Sequence, residues 1–263
     1  MNRLLSVAFV LLFAAPLLGQ IRVNTLVVKP KQTYELKGTD ILVVDTLILM
    51  DSAVLVLNKL KAENFIHAHK IVFYRGSMID GKGVHGIRGR NGRAGSSSSA
   101  PCSNGSPGTP GTEGTNGGHG IGLYLAFSDI VLHGVPVIDV SGGDAGDGGD
   151  GGLGGGGGTG TRICAGGNGG GGGPGSNGGN GGNAGKITFQ ANRVPELRTM
   201  LGEQIIIRNY GGNPGNGGEG GSGGYAGLSP TGKNSLDGKP GKKGVRGKDG
   251  IAGKPGAISF VNR

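Results

Sequence analysis

The sequence predicts an all-β fold: a short β-solenoid, or parallel β-helix, with three stacked polyglycine-II hairpins projecting from one corner. Three observations predict it. Segments rich in β-branched residues recur every six residues from Ile41. Glycine recurs every third residue through six separate runs. Those runs come in pairs, with β segments between the pairs.

The chain opens on a short basic leader, Met1-Asn2-Arg3, followed by an almost wholly apolar stretch from Leu4 to Leu18. Ala15, Gly19 and Gln20 supply small or polar residues after it. This layout reads as a secretory signal peptide over 1–19, and it places the mature protein outside the cell or on its surface. The stretch falls short of the roughly 20 residues that span a bilayer. No cysteine follows it to carry a lipid, and no later segment is apolar enough to form a transmembrane segment.

Composition excludes an ordinary globule. Glycine accounts for 63 of 263 residues, tryptophan is absent and aromatic residues make up 5%. Such a chain is either disordered or ordered by backbone pairing more than by side-chain burial. The placement of the glycines separates these cases. A disordered linker has no reason to keep a period of three, whereas polyproline-II geometry has three residues per turn.

Residues 20–82 form the first solenoid block. From Ile41 they read ILVVDT, LILMDS, AVLVLN, KLKAEN, FIHAHK, IVFYRG, SMIDGK. Each segment holds a few extended residues and then a polar or glycine corner, which is strand chemistry. Three such faces would make a coil of about 18 residues, and stacked coils would bury one continuous core. A β-sandwich is the ordinary alternative, with turn signals every 8–12 residues.

The glycine region spans 83–257. Its hairpins cover 83–122, 141–186 and 210–257, and further coils cover 123–140 and 187–209. Within 187–209, Val194–Leu201 breaks the strand pattern and reads as a short helical turn. Residues 258–263 close the chain as a strand. Counting faces, every excursion leaves from one corner and returns to the next face. Phe189 and Phe260 then fall in equivalent strands, where they could stack. Neighbouring coils lie about 4.7–4.9 Å apart, so three hairpins leaving one corner start at hydrogen-bonding distance. Only glycine lets threefold helices approach that closely, and doublets such as Gly142-Gly143 and Gly217-Gly218 suit helices crowded on two sides. The expected bundle has two layers of three helices.

Cys102 and Cys164 are the only cysteines. They fall in the tips of hairpins one and two, Ser96–Asn104 and Thr159–Ala165, and in an exported protein they are expected to form a disulfide.

The glycine runs resemble the polyglycine-II bundles of bacteriophage tail-tip adhesins and of the springtail glycine-rich antifreeze protein. The resemblance covers Gly83–Gly256 as architecture and period. It implies loops displayed at the end of a rigid bundle, or a flat bundle face, and assigns no binding residues. The last run, GKPGKKGVRGKDGIAGKPG, also looks like bacterial collagen-like repeats, although β segments interrupt the triplets. Ile79-Asp80-Gly81-Lys82-Gly83 is similar to the IDGxG turn of pectin-degrading β-helix hydrolases, and Gly118-His119-Gly120 to their GHG motif. The accompanying paired-aspartate and Arg-Ile-Lys motifs are missing, so no enzyme is expected.

Candidate ligand-binding positions lie on the tips, because exposed loops on rigid scaffolds commonly carry binding. They are Ser97, Ser98, Asn104, Thr161, Arg162, Lys233 and Asn234, the last two in the third tip, Leu228–Asp237. Net charge is +9, which favours anionic partners or simply solubility. Lys239, Lys242, Lys243, Arg246 and Lys248 are the anion-binding candidates. Asp144, Asp147 and Asp150 recur every three residues and form a weak calcium stripe or a salt-bridged edge. Asp80, Asp139 and Asn209 sit where hairpins leave, as acceptors for turn amides. His67, His69, His85, His119 and His133 show no metal spacing, and no cofactor is called for. The expected partner is an extracellular ligand, either an acidic glycan or another cell-surface protein. No nucleic-acid motif stands out. Ice binding and polysaccharide degradation are the alternative functions.

Overall fold

The computed structural model describes residues 21–230 and 236–263. The leader 1–19 lies outside the described residues, as do Lys233 and Asn234.

The described residues are mostly strands in two parallel sheets, with very few helices. In chain order the elements are β1 (Ile21–Val28), β2 (Thr33–Glu35), β3 (Ile41–Leu49), β4 (Val54–Val56), β5 (Glu63–Phe73), β6 (Met78–Asp80), β7 (Gly122–Leu132) and β8 (Val137–Asp139). There follow β9 (Ile187–Ala191), α1 (Val194–Met200), β10 (Ile206–Arg208) and β11 (Ile258–Asn262). Odd-numbered strands make a six-stranded sheet, β1-β3-β5-β7-β9-β11, and even-numbered strands make a five-stranded one, β10-β8-β6-β4-β2. The chain thus alternates between sheets and returns beside its own previous strand.

Strands β1, β3, β5 and β7 are longer than the six-residue faces anticipated. β3 joins ILVVDT to LILMDS, and its inward residues change phase at Asp45: Leu42 and Val44 point in before it, Leu47 and Leu49 after it. Pairing skips at the same place, from Val44↔Ala68 to Thr46↔Lys70. One bent strand therefore supplies two walls of the core, and β4 supplies the third through Leu55.

The coil length differs from 18. Ile41 lies beside Phe65, a step of 24 residues, and Ile21 beside Leu42, a step of 21. In the coil from Ile41 the six extra residues are Lys59–Asn64, read from sequence as a strand and found mainly as a corner loop. Asn64 is fully buried. Its Oδ1 accepts the Asn58 N–H at 2.7 Å, and its Nδ2 donates to the Asn58 carbonyl at 3.2 Å. The Asn58 amide donates in turn to Thr39 O at 2.9 Å. This clamp forces the chain outward, so Leu60 is 94% exposed and never reaches the core.

The core runs continuously through both sheets, from Leu36 and Leu42 to Phe189, Val194 and Leu197. The helical turn expected near Val194 is α1, which begins with Pro195 in its first turn, where a missing amide costs nothing. Phe189 and Phe260 stack at 5.8 Å, and the Arg198 guanidinium lies 4.6 Å from the Phe260 ring.

The glycine segments leave after β6, β8 and β10, which are neighbours in one sheet. They return at β7, β9 and β11, which are neighbours in the other.

Candidate binding surfaces

The six glycine runs are tied together by backbone hydrogen bonds at every third residue. Outgoing runs bond side by side: Gly89 donates to Asp147 O and Gly148 to Asn216 O. Returning runs do the same, as Gly114 donates to Asn177 O and Gly178 to Lys248 O. The two rows are then cross-linked in chain order. Thr112 donates to Arg90 O, Gly149 to Thr112 O, Ser176 to Gly149 O, Gly218 to Ser176 O and Gly247 to Gly218 O. The first, third and fifth runs form one layer, and the second, fourth and sixth form the other.

Two amides of each inner triplet are satisfied this way, and the third, at the bundle surface, needs an acceptor from a side chain or water. At several positions a side chain supplies it. In the fourth run Gly169 donates to Lys239 O and Gly170 to Gly155 O. The remaining amide, of Asn168, donates to Asn104 Oδ1 at 2.8 Å. The Arg90 and Arg93 amides donate to Thr112 and Thr109 Oγ1, each at 2.7 Å.

This rule explains the aspartate stripe. Asp144, Asp147 and Asp150 each place Oδ1 on an amide of the fifth run, those of Asn213, Asn216 and Glu219, at 2.7–2.8 Å. His85 lies 3.5 Å from Asp144, and Arg88 lies 3.4 Å from Asp150. The stripe is thus half-occupied by amides and salt-bridged at its edge. No cluster of three or more metal-ligating side chains occurs among the described residues.

The second layer uses the same device with a different residue. Asn168, Asn177, Asn180 and Asn183 each give Oδ1 to an amide of the sixth run, those of Lys239, Lys248, Ile251 and Lys254, at 2.7–2.9 Å. Asn116 Oδ1 and His119 Nδ1 accept from Asn180 and Asn183. Asn116, His119, Asn180, Asn183, Ile251 and Lys254 line one shallow depression, so these side chains share an outer face.

The predicted anion-binding residues divide. Lys243 and Arg246 lie along the edge between the fifth and sixth runs, paired with Glu219 at 3.9 and 2.9 Å. Arg246 also meets Asp249 at 2.8 Å. The Gly217 amide, and then Arg246, hold the Asp249 carboxyl below its ordinary value. Lys239, Lys242 and Lys248 sit instead on the asparagine face with Lys254, exposed and with no carboxylate partner among the described residues.

At the tips, Cys102 and Cys164 stand at disulfide distance, Cα–Cα 6.1 Å. Most of the tip candidates are turned to the backbone. Ser97 Oγ accepts from Gly156 at 2.9 Å, and Ser98 Oγ donates to Ala100 O at 3.2 Å. Thr161 Oγ1 accepts from Ile163 and Cys164, and Asn104 serves Asn168. Arg162 and Ile163 point outward, Ile163 with 96% exposure.

At the exits, Asp80 and Asp139 occupy matching register positions and accept the Lys82 and Ser141 amides at 2.9 and 3.0 Å. Asn209 departs from the expected role. Asp139 pairs with Arg208, one residue earlier, and Asn209 donates to Gly256 O at 2.8 Å. The pectinase-like pair is engaged elsewhere: Asp80 with Lys59 at 3.3 Å, His119 with Asn183. His133 packs on Tyr74 at 4.7 Å and His67 on Tyr124 at 6.0 Å.

Among the described residues no helix is long and apolar enough to cross a membrane. Compared with family models, curated proteins and solved structures, the chain matches none.

Proposed function

We propose that this chain is an extracellular, non-enzymatic structural or adhesive protein, in which a short β-solenoid carries six polyglycine-II helices as a rigid bundle. The observation that carries the reading is the closed ladder of backbone bonds linking every glycine run to its neighbours. Such a ladder supplies stiffness without a side-chain core. It holds the tips, including Arg162, at a fixed reach of about 45–65 Å from the sheets, at 3.1 Å per residue. The leader over 1–19 and the cysteine pair at the tips support export to an oxidising compartment. Fractionation of the native source tests the reading. Recovery from the extracellular or surface fraction, processed near Gly19 and with Cys102 bonded to Cys164, is expected. Recovery from the cytoplasm with an intact leader would refute it.

Ice binding is a second reading, favoured by the regular asparagine rows of the second layer. The lysines on that face oppose it. Thermal hysteresis in dilute solution would select it, and its absence leaves the structural or adhesive reading in place.

A further inference from the structure

We infer that the face made by the second, fourth and sixth runs binds a linear acidic polysaccharide lying along the bundle axis. The inference rests on the surface-protein reading above and names one partner for it.

The first argument is a comparison inside the molecule. The third and fourth runs face the same structural problem, an amide of the next run that needs an acceptor. The third run solves it with Asp144, Asp147 and Asp150. The fourth solves it with Asn168, Asn177, Asn180 and Asn183. Both residue types supply the required oxygen at the same length, so the fold does not dictate the choice. The difference lies in what the second atom offers to solvent: an anionic acceptor on one face and a neutral amide donor on the other.

The second argument is the donor inventory. Each Asn on this face has its oxygen committed to a backbone amide, which turns Nδ2 outward. Asn177 Nδ2 meets Glu113 at 3.3 Å. The Nδ2 groups of Asn168, Asn180 and Asn183 have no acceptor among the described residues. The His119 Nδ1 atom accepts from the Asn183 amide, so its ring proton sits on Nε2. Lys239, Lys242, Lys248 and Lys254 of the sixth run line the edge one or two triplets apart, about 9 or 18 Å along the run, with Val245 and Ile251 at the positions between them. Apart from Glu113, the charged and hydrogen-bonding groups that the face leaves free are donors and cations, at intervals set by a straight run; Val245 and Ile251 add exposed apolar surface between them.

Carboxylate or sulfate groups along an extended glycan chain satisfy such a surface, because charged acceptors make the stronger hydrogen bonds. Nucleic acid fits it less well. Neither base-stacking aromatics nor a recognition helix lies on this face, and these are the means by which bases are held and read.

The test measures binding of the full chain to heparin and to polygalacturonate by titration calorimetry at low and moderate salt. Neutral dextran and a single-stranded oligonucleotide serve as comparisons. Asn168→Asp and Asn180→Asp keep the oxygen that the fold uses and replace the outward donor with an acceptor. Their melting temperatures should match the parent. Affinity for both polyanions should fall roughly tenfold per substitution and weaken with salt in the parent. Asp147→Asn, on the opposite layer, should bind as the parent does. No binding to either polyanion, equal loss in Asp147→Asn, or tighter binding of the oligonucleotide would overturn the inference. Those results leave the location and bridging of the cysteines untouched, so failure of the partner and failure of the surface-protein reading are separately visible.

Discussion

Replacing Gly218 with valine should destabilise the glycine bundle by about 4 kcal/mol. Gly218 lies in the fifth run. Its amide donates to Ser176 O at 2.8 Å, and its carbonyl accepts from Gly247 at 2.9 Å. A Cβ built there would stand less than 3.0 Å from the Gly149 carbonyl oxygen of the third run. That atom is backbone and cannot swing aside, so the two runs must separate. Separation strains four backbone bonds: the two made by Gly218, and the flanking Gly148→Asn216 and Gly151→Glu219 bonds, both 2.8 Å. At about 1 kcal/mol each, the loss approaches 4 kcal/mol, a fall in melting temperature of about 10 °C for a chain this size. Asn216→Val is the control two residues away. Its side chain is exposed and gives up only the 3.2 Å bond from Nδ2 to Asp147, worth under about 1 kcal/mol. Melting followed by circular dichroism at two protein concentrations reads both effects. Equal tolerance of the two substitutions would refute the ordered bundle. A midpoint that rises with concentration would show that separate chains associate, as collagen pairing requires.

Three further outcomes are expected. Reduction of the Cys102–Cys164 pair, 62 residues apart in sequence, should destabilise the oxidised protein by about 4 kcal/mol; peptide mapping that finds both thiols free in secreted material would exclude the bridge. Asn64→Ala should cost about 2–3 kcal/mol in urea denaturation, because it strips the buried Asn58 backbone of two bonds, and a change below about 0.5 kcal/mol would show that the corner clamp is dispensable. The Asp249 carboxyl should titrate by NMR below an ordinary aspartate, since the Gly217 amide and Arg246 favour its charged form. Its contribution is then present above the unfolded-state value and lost as pH falls through the lowered folded one. Arg246→Ala should raise the midpoint only part of the way, and a midpoint at the ordinary value in the parent would refute the contact.

Much of this arrangement is legible in the sequence, and the parts that are not have local causes. The period of three in glycine is set by close contact with neighbouring backbones, so it survives in the sequence whatever the other residues do. The exit and return points were legible from the apolar segments Ser77–Asp80 and Leu123–Phe127. Coil length was not, because KLKAEN has the alternation of a strand while its placement depends on Asn58 and Asn64 bonding to each other. Two asparagines six residues apart carry no periodic signal. The backbone roles of the tip residues are hidden for a related reason. Ser97 and Asn104 look like free surface chemistry, but each also accepts an amide that the ladder leaves over, and Thr161 accepts two amides of its own tip.

That leftover amide also accounts for the sixth run's collagen-like look. The third and fourth runs each contact four neighbours and expose only one position per triplet, so glycine fills the other two except at Ala145, Ser176 and Ala184. The first and sixth runs lie at opposite corners with two neighbours each. Gly247 donates to Gly218, Lys248 accepts from Gly178, and the remaining position faces solvent. One glycine per triplet is then enough, and lysine or proline can fill the rest. Proline is also cheap wherever no side-chain acceptor waits, because it has no amide to satisfy: Pro174 of the fourth run follows in line with Pro110, which offers none, while the Asn180 backbone amide two triplets on meets Asn116 Oδ1. The spelling GKP against GGN therefore reports the number of neighbours around one repeat. Two different repeats are not needed, and a single run read alone would point to the wrong architecture.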